Sequence, residues 1–360
     1  MDTILVCGGA GFIGSNFVRH VVRQTDARVI VLDKLSYAGS LQNLADVERD
    51  PRFRFFRGDI GSAATVEQLL ETWRPDWIIN FAATTHVDRS INAPRHFLEN
   101  NCLATLGMLE VARKHFAEHP NSRHRFLQVS TDETYGSLGP TGKFTEASPY
   151  APNSPYAASK AAADHVVRAY WQTYMVPTLI VNCANTYGYF QYPEKLIPLF
   201  VSNAIEGRAL PIYGDGKNVR EWLFVEDICR ALRLALEHGQ PGDRFNIGGA
   251  QELTNLEVTE SICRVLEEEH PAASNPFLIS RGIRSYLELK KFVADRLGHD
   301  RRYATDSTKA RVELGWQPTT SFEDGLRRTI RWYLENRQWC GSMLARESGP
   351  TSGVENPSDR

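Results

Sequence analysis

Several things are missing from this chain of 360 residues: an apolar run approaching the length of a membrane span, a block of like charge, and any pairing among its six cysteines. Each absence excludes a class. A spanning helix needs about 20 consecutive apolar residues, so no membrane partner is expected. Lysine plus arginine number 41 against 43 acidic residues, for a formal net charge of -2. With no basic arm, nucleic acid is not an expected partner either. Cys7, Cys102, Cys183, Cys229, Cys263 and Cys340 form no CxxC pair and have no histidines at ligand spacing, which argues against both a disulfide framework and a metal site. Met1 leads directly into ILVCGG with no charged leader, and the expected location is cytoplasmic.

What the chain does have is alternation. Short β-branched runs at 3–7, 27–33, 53–56, 77–83, 125–130 and 178–183 are separated by stretches with helical spacing, such as Phe97 to His115 and Tyr156 to Tyr174. Continuous apolar strands alternating with helices predict an α/β fold with a doubly wound parallel sheet. Beyond 183 the pattern loosens into short strands with Pro and Gly punctuation, interrupted by helices at Asn255 to Glu269 and Phe322 to Asn336. The expected division is a dinucleotide-binding domain over 1–183, a smaller substrate lobe over 184–342 with some interleaving, and a disordered tail over 343–360.

Gly8, Gly11 and Gly14 lie between the first strand and an amphipathic stretch, and Asp33 closes the second strand 19 positions after Gly14. This is the Rossmann fingerprint, in which glycines bring backbone to a pyrophosphate at a helix N-terminus. Asp33 would accept from both ribose hydroxyls and repel a 2′-phosphate, which favours NAD over NADP, although Lys34 is a mild counter-signal. Asp59, after the third strand, is a candidate adenine contact.

Tyr156 and Lys160 stand four residues apart in YAASK, on one helix face, behind Ser154-Pro155 as a cap and first-turn proline. A tyrosine holds its proton to about pH 10, so Tyr156 acts as a base only near positive charge. Upstream, Thr131, Asp132 and Glu133 follow the fifth strand in TDETYG. Adjacent acids repel, and in solution the two would simply be solvated.

GGAGFIG, TDETYG, YAASK, NCANTYG with YPEKLIP, and RLGHDRRYATD, in that order over roughly residues 3–340, resemble the nucleoside-diphosphoglucose 4,6-dehydratases of the extended short-chain dehydrogenase/reductase superfamily. The resemblance implies tightly held, recycled NAD and a nucleoside-diphosphate hexose, expected to be dTDP-glucose. It implies that Tyr156 deprotonates the C4 hydroxyl with Thr131 and Lys160 assisting, Glu133 removes the C5 proton, and Asp132 protonates the departing C6 hydroxyl. Two adjacent carboxylates suit that pair of tasks, because the first charge raises the second group's pKa. On the cofactor side it adds Phe12, Ile13, Ser36, Ile60, Ala82, Ala83, Asn100 and Thr186. For the sugar it implies Thr85, Thr131 and Asn185. For nucleotide and diphosphate it implies Lys195, Leu196, Pro211, Ile212, Tyr213, Arg220 and Asn255, with Asp295, Arg296 and His299.

The chain departs from the family pattern at Thr84, Thr134, Thr186, Tyr189, Ile228 and Leu297, positions that bear on the nucleobase and the hexose and remove no catalytic group. Alternatives are an epimerase or decarboxylase of the same superfamily, a dehydratase acting on UDP-glucose, and a non-catalytic NAD-binding regulator. The family's habit implies a homodimer through a four-helix bundle.

Overall fold

A computed structural model describes residues 2–347. Among the described residues twelve strands run in chain order: β1 Thr3–Cys7, β2 Arg28–Asp33, β3 Phe53–Arg57, β4 Trp77–Asn80, β5 Arg125–Thr131, β6 Thr178–Cys183, β7 Asn185–Tyr187, β8 Leu210–Tyr213, β9 Val219–Phe224, β10 Arg244–Ile247, β11 Glu252–Thr254 and β12 Lys290–Val293. Seven form one parallel sheet in the order β10-β6-β5-β4-β1-β2-β3. β1, β4 and β6 are buried along their whole length, because helices cover both faces of the sheet. β1 lies between β2 and β4, so the strand order reverses there and a crevice opens at the carboxyl ends of the strands.

The fourth strand is shorter than its apolar run suggests. It ends at Asn80, whose amide donates to Gln128 Oε1 at 2.9 Å and whose Oδ1 accepts from Ala82 N at 3.1 Å, turning Phe81 to Ala83 out of the sheet. The helix expected over Phe97 to His115 is instead Pro94–Leu98, a π-helical turn at Glu99–Leu103, and Ala104–Glu118. Helices Pro155–Tyr174, Asn255–Glu269 and Phe322–Glu335 stand where the periodicity placed them.

After Cys183 the chain builds two small sheets, β11-β9-β7 and β12-β8, over a second apolar core that includes Phe200, Trp222, Ile262 and Tyr286. It also returns to the large sheet, where β10 pairs with β6. Residues 343–347 of the expected tail belong instead to a helix, Arg337–Glu347, on which Met343 is fully buried and its carbonyl accepts from Tyr192 OH at 3.2 Å. Residues 348–360 of that tail lie outside the described residues. No helix among the described residues is long and apolar enough to cross a membrane.

Candidate active site

The glycine loop is pressed between β4 and its own helix. Gly8 has φ 74°, and a Cβ there would sit 2.6 Å from Ala82 N; a Cβ on Gly14 would sit 2.3 Å from Gly8 O. Helix Phe12–Gln24 begins at Gly11 with no side-chain cap, which leaves its first N–H groups for an anion. Phe12 and Ile13 are half-buried against one apolar core of the sheet, and Ile60 is buried in another. Asp33 accepts from Ala10 N at 2.9 Å and Leu35 N at 2.7 Å, so its carboxylate lies against the loop. Burial raises its pKa, and those two amides and Lys34 oppose the rise. Lys34 is not free to recruit a 2′-phosphate. It pairs with Asp59 at 3.0 Å and donates to Asn100 Oδ1. Burial raises Asp59, but the Gly61 amide and Lys34 outweigh it and the carboxylate falls below its usual range. Ser36 is exposed, and Ala82 and Ala83 are half-buried after β4. A loop that admits no Cβ at Gly8 or Gly14, an open helix N-terminus and an acid at the second strand end fit a dinucleotide.

β5 delivers Thr131 into a single helical turn, Asp132–Tyr135. Thr131 Oγ1 accepts from Glu133 N and donates to Asp132 Oδ1, both at 3.3 Å. Asp132 is 1% exposed, and its Oδ2 has no hydrogen-bond partner among the described residues. Burial, then Glu133 and Glu221, lift its pKa well above the carboxylate range. Burial also raises Glu133, but Arg296, Arg220 and Lys195 pull it back. Both carboxyls are therefore raised, Asp132 the further, so of the two neighbours Asp132 is the one that holds a proton more firmly.

Ser154 Oγ caps helix Pro155–Tyr174 by accepting from Ala157 N at 3.1 Å, with Pro155 in the first turn. Tyr156 is 7% exposed; burial, then Glu133 and Cys183, raise it well above the tyrosine range. Lys160, one helical turn on, is 4% exposed, and its ammonium donates to Val129 O at 2.8 Å.

One cavity of about 230 Å³ collects most of the implied substrate residues from distant parts of the chain. Thr85, Asn185, Lys195, Leu196, Pro211, Ile212, Tyr213, Arg220, Asn255, Arg296 and His299 all line it, together with Glu133 and Thr186. Asp295 does not line it and instead holds His299 Nδ1 at 2.6 Å. Thr131, Asp132, Tyr156 and Lys160 are also absent from the lining, and Glu133 is the member of the catalytic set that reaches it. Arg220, 4% exposed, stacks 4.3 Å over Tyr303 and donates to Asp300 O at 3.0 Å. Lys195 Nζ donates to Thr85 O at 2.8 Å. Three cations on one wall suit a diphosphate.

Sequence reasoning overlooked His86, Glu194 and Tyr303 in this lining. Glu194 accepts from Tyr37 OH at 3.1 Å and lies 3.5 Å from both His86 Nε2 and Arg89 Nη2. His86 falls to about 3 through burial and the cations Lys195, Arg89 and Arg296, which makes it a neutral ring. Glu194 and Tyr303 belong to the quoted motifs YPEKLIP and RLGHDRRYATD, which was the available signal. Among the departures, Thr134 and Ile228 are fully buried, Tyr189 O accepts from Asn16 at 3.0 Å, Thr84 N donates to Asn101 at 2.7 Å, and Leu297 is exposed.

Residues 5–329 match the family described as GDP-mannose 4,6 dehydratase. The chain belongs to this family. It is 49% identical to a dTDP-glucose 4,6-dehydratase of Xanthomonas campestris over 96% of both chains, and 46% identical to that of Salmonella typhimurium over 94% of this chain and 95% of the other. Among solved structures it resembles the dTDP-glucose 4,6-dehydratase DesIV of Streptomyces venezuelae with NAD bound, at 46% identity and TM-score 0.84, covering 95% of this chain and 99% of that one. A UDP-glucose 4-epimerase of Thermotoga maritima in the same fold is more distant, at 27% identity and TM-score 0.79, covering 93% of this chain and 99% of that one.

Proposed function

We propose that this dehydratase-family chain is an NAD-dependent hydro-lyase that converts dTDP-glucose to dTDP-4-keto-6-deoxyglucose and water. The observation that carries this reading is the acid pair: Asp132 is deprived of hydrogen-bond donors while Glu133 faces three cations at the wall of a sugar-nucleotide cavity. An epimerase has no task for two acids there. The relatives' names support the thymidine nucleotide.

The glycine loop, Asp33, Asp59 and Asn100 would hold NAD, which when bound accepts hydride from the sugar and returns it, so the reaction is redox-neutral overall. Tyr156 Oη removes the C4 hydroxyl proton. Burial alone makes it a poor base, so it works only with positive charge beside it, which Lys160 and an oxidised nicotinamide would both supply. The 4-ketone acidifies C5, and the Glu133 carboxylate takes that proton. Asp132, kept protonated, gives its proton to the C6 hydroxyl, which leaves as water. Glu133 returns a proton to C5, and the proton gained by Tyr156 balances the one given up by Asp132. Arg220, Arg296 and Lys195 hold the diphosphate, and Tyr213 with Asn255 borders the base.

In this reading 1–183 chiefly binds the cofactor and the later chain chiefly binds the sugar nucleotide, and the enzyme works in the cytoplasm. It is a homodimer in which helices Ala104–Glu118 and Pro155–Tyr174 pair into four helices. Support for that face is the apolar exposure beside them, with Leu103 at 57% and Tyr174 at 52%. The test is to incubate purified protein with dTDP-glucose and, separately, UDP-glucose, with no added NAD, and follow loss of water by mass spectrometry. Water loss with dTDP-glucose is expected. Loss only with UDP-glucose moves the nucleotide, and a C4 epimer with no water loss overturns the reading.

A further inference from the structure

Asp164 follows Lys160 by one helical turn and is fully buried. Its Oδ2 accepts from Ser130 Oγ at 2.6 Å, Tyr150 OH at 2.8 Å and Asn182 Nδ2 at 3.4 Å, while Oδ1 has no hydrogen-bond partner among the described residues. Three neutral donors on one oxygen leave a buried carboxylate with its other oxygen bare, and the single carbonyl on Lys160 is a thin shell for a buried ammonium. Each group lacks what the other supplies.

The same carboxylate is tied to the acid pair. Asn182 Nδ2 donates to Thr131 O at 3.0 Å and lies 3.0 Å from Tyr150 OH, and the Thr134 hydroxyl donates to Thr131 O at 2.8 Å. Neither Asp164 nor Tyr150 lines the cavity, so any effect on chemistry passes through other residues. We propose that Asp164 is a positioning residue: it is the countercharge that keeps Lys160 an ammonium, and through Ser130, Tyr150 and Asn182 it locks the strand end carrying Asp132 and Glu133 to the helix carrying Tyr156.

Other titratable groups around the pair are Tyr156 on the same helix, Cys183 on β6, Asp132 and Tyr135 after β5, Tyr150 before the helix, and Arg244 on β10, stacked 4.5 Å over the Tyr150 ring. Burial lowers Lys160, and Asp164 is the first group opposing it; burial raises Asp164, and Lys160 is the first group opposing that. Removing the carboxylate charge therefore leaves Lys160 with burial unopposed except by Cys183.

The test compares the unsubstituted protein with Asp164→Asn, using selective ¹⁵N-lysine labelling and assigning the Lys160 signal by its loss in Lys160→Arg. In Asp164→Asn the pH at which Lys160 gives up its proton falls by at least about one unit. The alkaline limb of kcat for water release moves down with it, while KM changes less than about twofold. An unshifted lysine midpoint overturns the proposal. Should the variant fail to fold, the Asp164 ¹³C carboxyl signal of the unsubstituted protein decides: a carboxylate at neutral pH supports the proposal and a protonated carboxyl overturns it. The kinetic limb rests on the dehydratase reading, but the two magnetic-resonance readings need no turnover. An enzyme that releases no water thus sinks that reading alone.

Discussion

Two aspartates stand at the carboxyl ends of strands in the same sheet and have been given opposite characters. Asp33, the last residue of β2, is buried but receives two backbone N–H groups, at 2.7 and 2.9 Å. Asp132, the first residue past β5, is buried with one 3.3 Å contact from Thr131, an unpartnered oxygen and two acids nearby. Burial raises both; two amides and Lys34 restrain Asp33, whereas Glu133 and Glu221 push Asp132 further up. An acid furnished with amides remains an acceptor for ribose hydroxyls, and an acid starved of donors and crowded by like charge keeps a proton it can give away.

The largest effects come from reversing the second case. Asp132→Asn removes the proton donor and Glu133→Gln the base, and each should lower kcat for water release about 10²- to 10⁴-fold with little change in KM. Turnover near wild type in either variant would break the contrast. On the cofactor side, Gly14→Ala drives a Cβ toward Gly8 O and Asp33→Asn weakens ribose acceptance. Both should release NAD at least about tenfold more readily, read as the absorbance ratio of the purified protein and its gain in activity on added NAD.

A smaller effect sharpens the contrast in stability. Asp132 has a folded pKa above its unfolded value, so its stabilising contribution is complete at acid pH and is lost as pH rises through the folded pKa. Asp132→Asn should therefore melt higher than wild type at pH 8, with the gap closing below about pH 4. The smallest effect is at His115, 5.0 Å from the His119 ring, where burial and then His119 and His124 depress the pKa to about 4. The folded state binds fewer protons there, so stability is lost as pH falls from the usual histidine value toward 4. His115→Gln should flatten that acid-side fall in Tm by roughly 1 to 3 °C.

Much of the doubly wound half could be read from the chain because its strands are buried on both faces and their runs are continuous, as in TILVC and TLIVNC. The reading failed where a polar side chain overrode an apolar run, as Asn80 does in ending β4, and where a π turn interrupts the helical period at Glu99–Leu103. β10 went unread because four residues, RFNI, carry too little pattern. Helix Asn255–Glu269 was placed well, and the structure adds a capping box between Thr254 and Glu257. The cofactor cradle is local in sequence and announces itself through its glycines. The cavity draws on segments from Thr85 to Tyr303, so no spacing rule could assemble it, and only quoted motifs pointed to its members. Donor starvation at Asp132 was invisible in TDETYG, since it depends on what surrounds the turn.

The central claim, that Asp132 holds its proton more firmly than the adjacent Glu133, is tested most directly by difference infrared spectroscopy of the carboxyl region at neutral pH. The account predicts a protonated-carboxyl band that disappears in Asp132→Asn and persists in Glu133→Gln. A band that disappears in Glu133→Gln instead, or that is insensitive to both substitutions, would contradict it.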